Sequence, residues 1–335
     1  MLYVTTRCNK DVYTSHRALM ENRSPDGGYF VPFILPQYTQ EDLQLLAGKS
    51  TSQIIADVVN LFFSARLSGW DVDFCVGRNA LRVSQVNNKI VIGELWHNLD
   101  GRFDYIAEGI SKKIRGSDEG GASDWMHITM GIAMLFAMYG ELLRIGALTL
   151  EQHFDVSLQA GDLSAPIAAL YAKKMGLPIE TIICTCEENC TIWDFIHRGI
   201  FNIVTAQESD FGVERLLCAT AGYASVEDFL KCSENKKSYI VDEELLPVIN
   251  QGLFCSVAGQ GRASSLINSI FRGDSYIIDP LTALCYGGLQ DYRAKTGSNK
   301  LTVLFAEATP LAYTDELSSA TGLDKDKITG LVNQM

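Results

Sequence analysis

Proline and positive charge are both scarce in this sequence, and each scarcity narrows what the chain can be. Only 8 of the 335 residues are proline, 28 are glycine and 47% are hydrophobic, which excludes disordered and collagen-like chains. A compact protein of one large or two ordinary domains is expected. The 28 basic residues are outnumbered by 40 acidic ones, for a net charge of −12. Such a chain lacks the positive field that holds a phosphate backbone, so no nucleic acid partner is expected.

The sequence also lacks the patterns of a disulfide-rich or exported protein. Its nine cysteines are an odd number spread along a long chain, which is typical of reduced thiols in the cytoplasm. The first residues contain no apolar run that could act as a secretory signal. Cys184, Cys186 and Cys190 form the densest group, and this spacing leaves a zinc site open but favours buried structural thiols. We therefore predict a cytoplasmic protein with no metal.

One apolar run is long enough to cross a bilayer, at residues 125–147. His127, Glu141 and Arg144 interrupt it, and the residues just before it are acidic rather than basic. This pattern favours a buried core helix, and no membrane partner is expected.

The pattern of apolar residues changes near residue 85. Residues 1–85 read as a helical region after a short opening strand. A capping box at Thr39 and Asp42 starts one helix, and a second begins near Ser50 or Thr51. Residues 86–335 alternate short β-branched runs with helical patterns, which indicates an α/β domain with a parallel sheet. The predicted strands are 89–95, 153–158, 180–185, 275–279 and 300–305, and the predicted helices include 125–147, 166–175 and 282–295.

Two polar loops follow predicted strands, where α/β proteins place ligand sites. In the first, His97, Asp100, Arg102 and Asp104 form a polar group that fits either a small-molecule cleft or a salt-bridged loop without a ligand. The second opens a helix and contains Gly161, Asp162, Leu163 and Ser164. Helix-terminal amides attract anions, but Asp162 already carries negative charge there, so an ordinary N-cap is favoured.

Several segments, in order along most of the chain, resemble threonine synthase, the fold-type-II pyridoxal-phosphate enzyme that converts O-phosphohomoserine to threonine in amino-acid biosynthesis. Residues 94–97 are similar to the family's ELFH stretch. The other similar segments are residues 3–7 with 24–32, residues 123–128, residues 171–179, Asp210-Phe211 with residues 214–217, and residues 279–283. The resemblance implies a helical N-terminal region followed by a domain like the large domain of these enzymes.

Three departures from the family fall on its active site. Asp104 stands where the resemblance places the lysine that forms a Schiff base with pyridoxal phosphate, and a carboxylate cannot form one. Lys112 and Lys113, on the same predicted helix, are weak substitutes. The interval between residues 104 and 123 is shorter than the family's by about a hundred residues, the size of a small domain. The family's phosphate loop becomes 161–164, where Asp162 opposes a phosphate.

These departures favour a non-catalytic relative, a pseudoenzyme that acts as a binding, regulatory or assembly partner. Loss of the small lobe would uncover an apolar face, so a homo-oligomer or a complex with another chain is expected. No cofactor is expected in that case. Two alternatives stay open: a residual lyase that uses pyridoxal phosphate, or a cleft repurposed for another small molecule.

Overall fold

The computed structural model describes residues 1–187, 190–207, 212–235 and 237–334. The chain opens with a three-stranded antiparallel sheet of order β2-β1-β3. Its strands are β1 (Leu2–Thr5), β2 (Tyr13–Thr14) and β3 (Phe30–Pro32), with α1 (Ser15–Met20) between the last two. The resemblance noted at Asp210-Phe211 lies outside the described residues.

Three helices complete the N-terminal region, and their starts follow from local capping. They are α2 (Gln40–Leu46), α3 (Thr51–Phe63) and α4 (Gly69–Val76). Thr39 and Asp42 form the predicted capping box before α2, and Ser50 with Gln53 forms another before α3. Each box satisfies two backbone N–H groups that a helix start leaves unpaired. Both predicted helix starts are confirmed.

A six-stranded sheet of order β10-β7-β6-β11-β5-β4 forms the centre of the molecule. The six strands are β4 (Arg82–Asn87), β5 (Ile90–Glu94), β6 (Phe154–Gln159), β7 (Ile179–Cys186), β10 (Leu253–Val257) and β11 (Thr302–Ala306). A separate antiparallel pair is formed by β8 (Ile200–Phe201) and β9 (Tyr239–Ile240). All the pairings in the large sheet are parallel except that of β4 with β5. The predicted α/β fold class is confirmed.

Helices cover both faces of this sheet. The helices that follow β5 in the described part of the chain are α5 (Phe103–Arg115), α6 (Asp124–Arg144), α7 (Ser164–Lys174), α8 (Thr191–Arg198), α9 (Val213–Thr220), α10 (Tyr223–Glu234), α11 (Leu246–Ile249), α12 (Ala263–Asp274), α13 (Pro280–Thr296), α14 (Thr314–Thr321) and α15 (Lys325–Val332). Alternate residues of β5 enter different cores, since Val91 packs in one cluster and Ile90 and Ile92 in the other. The sheet therefore has a hydrophobic core on each face.

Helix α6 corresponds to the long apolar run of the sequence, and most of it is buried. It is the one helix in the described part of the chain that is long and apolar enough to span a membrane, and here it packs against α2, α3 and α7. At its start, Trp125 Nε1 donates a 2.9 Å hydrogen bond to the Tyr3 hydroxyl, which donates to the Phe62 carbonyl at 3.0 Å. The N-terminal region and the α/β part thus share one core. The boundary predicted after residue 85 falls inside β4.

The strand predicted at 275–279 is wrong. These residues form an irregular connection between α12 and α13, in which Ile277 and Ile278 are buried in the second core. Asp279 caps α13 by accepting hydrogen bonds from the N–H groups of Leu281 and Thr282. The run is apolar because it is buried, not because it pairs with a strand. The edge of the sheet is formed instead by β10, which the sequence patterns did not identify.

Gly140 lies where α6 packs closely against α2 and α3. A Cβ at this position would lie 2.8 Å from Ile54 Cδ1 and 3.1 Å from the Leu46 carbonyl oxygen. Alanine stabilises a helix by about 1 kcal/mol relative to glycine, but the free-energy cost of overpacking is larger. Gly140→Ala should lower the free energy of unfolding by about 1–2 kcal/mol in urea denaturation.

The matched control is Gly273→Ala in α12, where nothing lies within 4 Å of the added Cβ. This variant should be unchanged or more stable, by up to about 1 kcal/mol. Equal effects of the two substitutions would show that the approach of α6 to α2 and α3 is not tight.

Candidate active site

A cavity of about 450 Å³ opens at the carboxyl ends of the parallel strands β5, β6 and β11. Leu95 follows β5, Gln159 ends β6 and Glu307 follows β11, and all three line the cavity. Ligands of open α/β sheets bind at this edge. The volume lies within the range of small-molecule sites, about 300–1,000 Å³.

The walls of the cavity are largely apolar. They come from the ends of the strands, the start of α5, the side of α6 and the start of α7. The apolar side chains are Leu95, Phe103, Met134, Leu135, Leu158, Ala160, Ala165, Ala168 and Phe305. Gly131 also lies in the wall, where a Cβ would come within 2.8 Å of Ala168 Cβ. The apolar walls determine the shape of the cavity, and the polar lining residues determine its charge.

Four carboxylates line the cavity, and the charge there is strongly negative. They belong to Asp104 of α5, Asp124 of α6, Asp162 before α7 and Glu307 after β11. The nearest partner is His127, whose Nδ1 lies 3.6 Å from Asp104 Oδ1. Among the described residues that line the cavity there is no lysine or arginine. The site is therefore suited to a cation and opposes an anion.

The pKa of Glu307 is changed by the neighbouring carboxylates. Glu307 lines the cavity and is exposed there. Loss of water around it, together with repulsion from Asp104, Asp279 and Asp162, raises the pKa of Glu307 to about 7. Near neutral pH, a proton partly neutralises this carboxylate.

In the loop before α7, the carboxylate of Asp162 accepts hydrogen bonds from Ser164. Asp162 Oδ1 accepts a hydrogen bond of 2.9 Å from the Ser164 N–H, and Oδ2 accepts one of 2.9 Å from the Ser164 hydroxyl. Leu163 takes a left-handed conformation with φ of 68°, and its N–H donates to the Ala160 carbonyl. Asp162 therefore bonds one backbone N–H, as expected from the sequence, but the N-cap of α7 is Leu163, which makes no side-chain capping bond. An amide at the start of α7 that could face an anion is thus occupied by Asp162.

The polar group predicted in the first loop does not form one site. His97 turns to the buried Glu94, with 2.5 Å between Nε2 and Oε2, and its ring stacks on Trp96. Arg102 Nε pairs with Asp100 at 2.6 Å, and both side chains are exposed. Of the four residues, Asp104 alone reaches the cavity. The loop is thus a salt-bridged connection, as the alternative reading of the sequence held.

Lys112 and Lys113 also lie away from the cavity. Both line a separate depression with Phe74 and Tyr105. Lys113 Nζ pairs with Asp71 of α4 at 2.8 Å, which raises the pKa of Lys113 through that hydrogen bond and charge. Neither amine takes the place of a lysine at position 104.

The cysteine cluster is a packing feature. Cys184 and Cys186 are buried in β7, and Cys186 Sγ lies 3.2 Å from Cys255 Sγ of β10. Burial raises the pKa of the Cys184 thiol. Within the described ranges, no group of three or more His, Cys, Asp or Glu side chains could hold a metal ion.

Three lining residues were not singled out by the sequence patterns: Asp124, His127 and Glu307. His127 is isolated in the sequence, and its pairing with Asp104 depends on α5 and α6 packing together. Glu307 carries a usable signal, because it comes two residues after the predicted strand 300–305, at the edge of the sheet where ligands bind.

Comparison with known proteins agrees with this geometry. Residues 2–78 match the family model described as threonine synthase N terminus. Over 97% of the chain, the structure superimposes on 92% of pyridoxal-phosphate-bound threonine synthase from Brucella melitensis, with a TM-score of 0.79 and 19% identity. Yeast threonine synthase gives a TM-score of 0.76 and 14% identity, with 95% of this chain and 89% of the other covered. The chain has the threonine synthase fold.

Curated relatives share a shorter stretch. Threonine synthase-like 1 of Homo sapiens and of Pongo abelii are each 24% identical over 174 residues. The mouse protein is 23% identical over 179 residues. These matches cover 48% of this chain and only 23% of each relative. The resemblance to threonine synthase seen in the sequence is thus confirmed in its fold and in its N-terminal region.

Pyridoxal phosphate, which the Brucella enzyme binds, does not fit the residues of this cavity. The position expected to supply an amine holds Asp104, paired with His127. The Ser164 amide, at the start of α7, is taken by Asp162. A phosphate would meet four carboxylates without a lysine or arginine among the described lining residues.

The raised pKa of Glu307 predicts a pH-dependent stability. The pKa of Glu307 rises from 4.5 to about 7 on folding, so its favourable contribution is full below pH 4.5 and is lost as pH rises through 7. Glu307→Gln should therefore melt like the wild type at pH 4.5 and at a higher temperature at pH 8.

Thermal melts of both proteins across this range check the prediction. Glu316→Gln, on the exposed face of α14, is the control and should show no such pH-dependent difference. A difference between wild type and Glu307→Gln that stays constant from pH 4.5 to 8 contradicts the prediction.

Proposed function

We propose that this chain is a non-catalytic, threonine synthase-like protein that acts by binding rather than by pyridoxal-phosphate chemistry. The observation that carries the proposal is Asp104, which faces the cavity and pairs with His127 where the resemblance places the Schiff-base lysine. A carboxylate has no nitrogen to condense with an aldehyde, so the first covalent step of the parent reaction has no nucleophile.

Electrostatics support the same proposal. An anionic cofactor would enter a cavity that holds four carboxylates, and each close like-charged pair raises the free energy of binding. Asp162 accepts the hydrogen bond of the Ser164 N–H, so this amide is not available to offset the repulsion. The cavity has the volume and the sheet-edge position of a small-molecule site, but its charge is opposite to the one that phosphate requires.

The residual-lyase alternative has less support. It needs an amine in the cavity, and Lys112 and Lys113 line a different depression, where Lys113 pairs with Asp71. A movement of α5 large enough to bring either amine to position 104 would withdraw Ile106, Ala107 and Ile110 from the core.

Titration of the protein with pyridoxal phosphate tests the proposal. We expect no stoichiometric visible absorption band, no borohydride-fixed adduct at a single lysine, and no threonine formed from O-phosphohomoserine. Exposed lysines react weakly with any aldehyde, so pyridoxal without phosphate is the control for non-specific labelling. A stoichiometric adduct at Lys112 or Lys113, or threonine formation, would overturn the proposal.

A second feature supports a role in assembly. Trp70 and Phe74 stack on the outer face of α4 at 6.2 Å between ring centroids, and they are 73% and 71% exposed. Leu99 is 66% exposed and lines a depression with Phe74. Gly116 and Ser117, from the connection between α5 and α6, lie in the same depression. This connection occupies the interval where the resemblance implies a lobe.

We propose that a second copy of the chain covers this aromatic patch of Trp70, Phe74 and Leu99. A patch that pairs with its own copy about a two-fold axis must be complementary to itself. The depression beside the patch holds charges of both signs, with Lys112 opposed by Glu108 and Asp118. Lys112 of one copy can therefore face an acidic residue of the other.

Light scattering after size exclusion checks this assembly. The wild type should be a dimer at micromolar concentration, and the double variant Trp70→Ser with Phe74→Ser should be a monomer, because the apolar area is lost. Val204→Ser removes an equally exposed side chain elsewhere and should leave the dimer intact. A monomeric wild type, or dissociation by Val204→Ser as well, contradicts the assembly.

A further inference from the structure

Two cysteine sulfur atoms lie very close together at the edge of the large sheet. Cys186 ends β7, and Cys255 lies in the neighbouring edge strand β10. Their Sγ atoms are 3.2 Å apart. Carbon atoms pack at about 3.5–4.0 Å, and sulfur is the larger atom. The two thiols are therefore closer than the filling of a core requires.

The register of the two strands explains this approach. Cys255 pairs with Cys184 in the parallel ladder, and Val257 pairs with Cys186. Residues two apart in a strand point to the same face of the sheet, and all three cysteines belong to the same hydrophobic core. The side chains of Cys186 and Cys255 thus meet on one face. A disulfide bond of about 2.05 Å would need the sulfur atoms to approach by only about 1 Å more.

Cys190 is a third thiol near this pair, but it is the poorer partner. It is the N-cap residue of α8, and its thiol is hydrogen-bonded to Cys186. That hydrogen bond and burial raise the pKa of the Cys190 thiol. The thiolate is the form that attacks another sulfur, so Cys190 is disfavoured as the attacking group. Cys255 is left as the partner of Cys186.

We propose that Cys186 and Cys255 form a reversible disulfide on exposure to a hydroperoxide, and that this bond fastens the edge strand β10 to β7. The Cys186 sulfur attacks one peroxide oxygen, so an S–O bond forms and the O–O bond breaks. The other oxygen leaves as water with the proton of the Cys186 thiol. The Cys255 sulfur then attacks Cys186, the S–S bond forms, and the S–O bond breaks to release a second water with the Cys255 proton. Two thiols are oxidised and one peroxide is reduced.

The position of the pair determines how it reacts and what the bond does. Cys186 and Cys255 are only 2% and 3% exposed, so the reaction needs a small oxidant and a local opening of the edge strand. The bond joins residues 69 positions apart, which restricts the unfolded chain and stabilises the fold. Neither cysteine lines the candidate cavity, so this proposal and the proposed function fail independently.

Peptide mapping of the native, reduced protein after treatment with hydrogen peroxide tests the proposal. Remaining thiols are alkylated in urea, and trypsin then releases residues 175–198 and 238–262 as separate peptides. We expect these two peptides to be joined, with a loss of two hydrogen atoms, and dithiothreitol to separate them.

Single substitutions identify the sulfur atoms that react. Cys186→Ala should abolish the cross-link, whereas Cys184→Ala and Cys190→Ala should leave it in place. Cys184 is the matched control, because it is buried in the same strand and lies directly opposite Cys255 in the ladder. Both β7 variants lose a sulfur atom from the same core, so a general effect on packing would appear in both.

Urea denaturation measures what the bond does to the fold. The oxidised wild type should unfold at a higher urea concentration than the reduced protein, and Cys186→Ala should show no such shift. Absence of the cross-link from the wild type, its persistence in Cys186→Ala, or its loss in Cys184→Ala or Cys190→Ala overturns the proposal. Unfolding of the oxidised wild type at an unchanged urea concentration would show that the bond does not fasten β10, and would overturn it too.

Discussion

The burial of α6 is the constraint on which the rest of the structure depends. This apolar helix can be accommodated only if protein covers it on all sides, and α2, α3 and α7 do so together with the sheet. The N-terminal region cannot detach, because α3 is one wall of that enclosure. The same enclosure fixes the start of α6, so that Asp124 and His127 come to the rim of the cavity.

This arrangement separates what the fold needs from what the site needs. The fold depends on the inward face of α6 and on the close approach at Gly131 and Gly140. The site depends on side chains at the helix start and on strand ends, which contribute little to the core. Charges there can change while the packing stays the same, which is consistent with a TM-score of 0.79 at 19% identity to the Brucella enzyme.

Local signals predicted the fold well where short-range physics decides it. The capping residues Thr39 and Ser50 set helix starts through their own hydrogen bonds, and no distant contact can change that role. The failure at 275–279 has the opposite cause, since burial of Ile277 and Ile278 against α12 and α13 produces the same apolar pattern as a strand. In the candidate site, Asp104 and Asp162 could be named from the resemblance. Glu307 comes shortly after a predicted strand, but its raised pKa could not be foreseen, because the carboxylates that contribute to it come from three parts of the chain distant in sequence.

The acidic cavity makes the stability of the fold depend on pH through one group, Glu307. At neutral pH the Glu307 carboxylate is repelled by Asp104, Asp162 and Asp279, and a proton relieves this repulsion. The core around α6 supplies the stability that allows this repulsion to persist in the folded state. The fold can therefore hold several carboxylates close together at this site, because its stability comes from the core and not from the site.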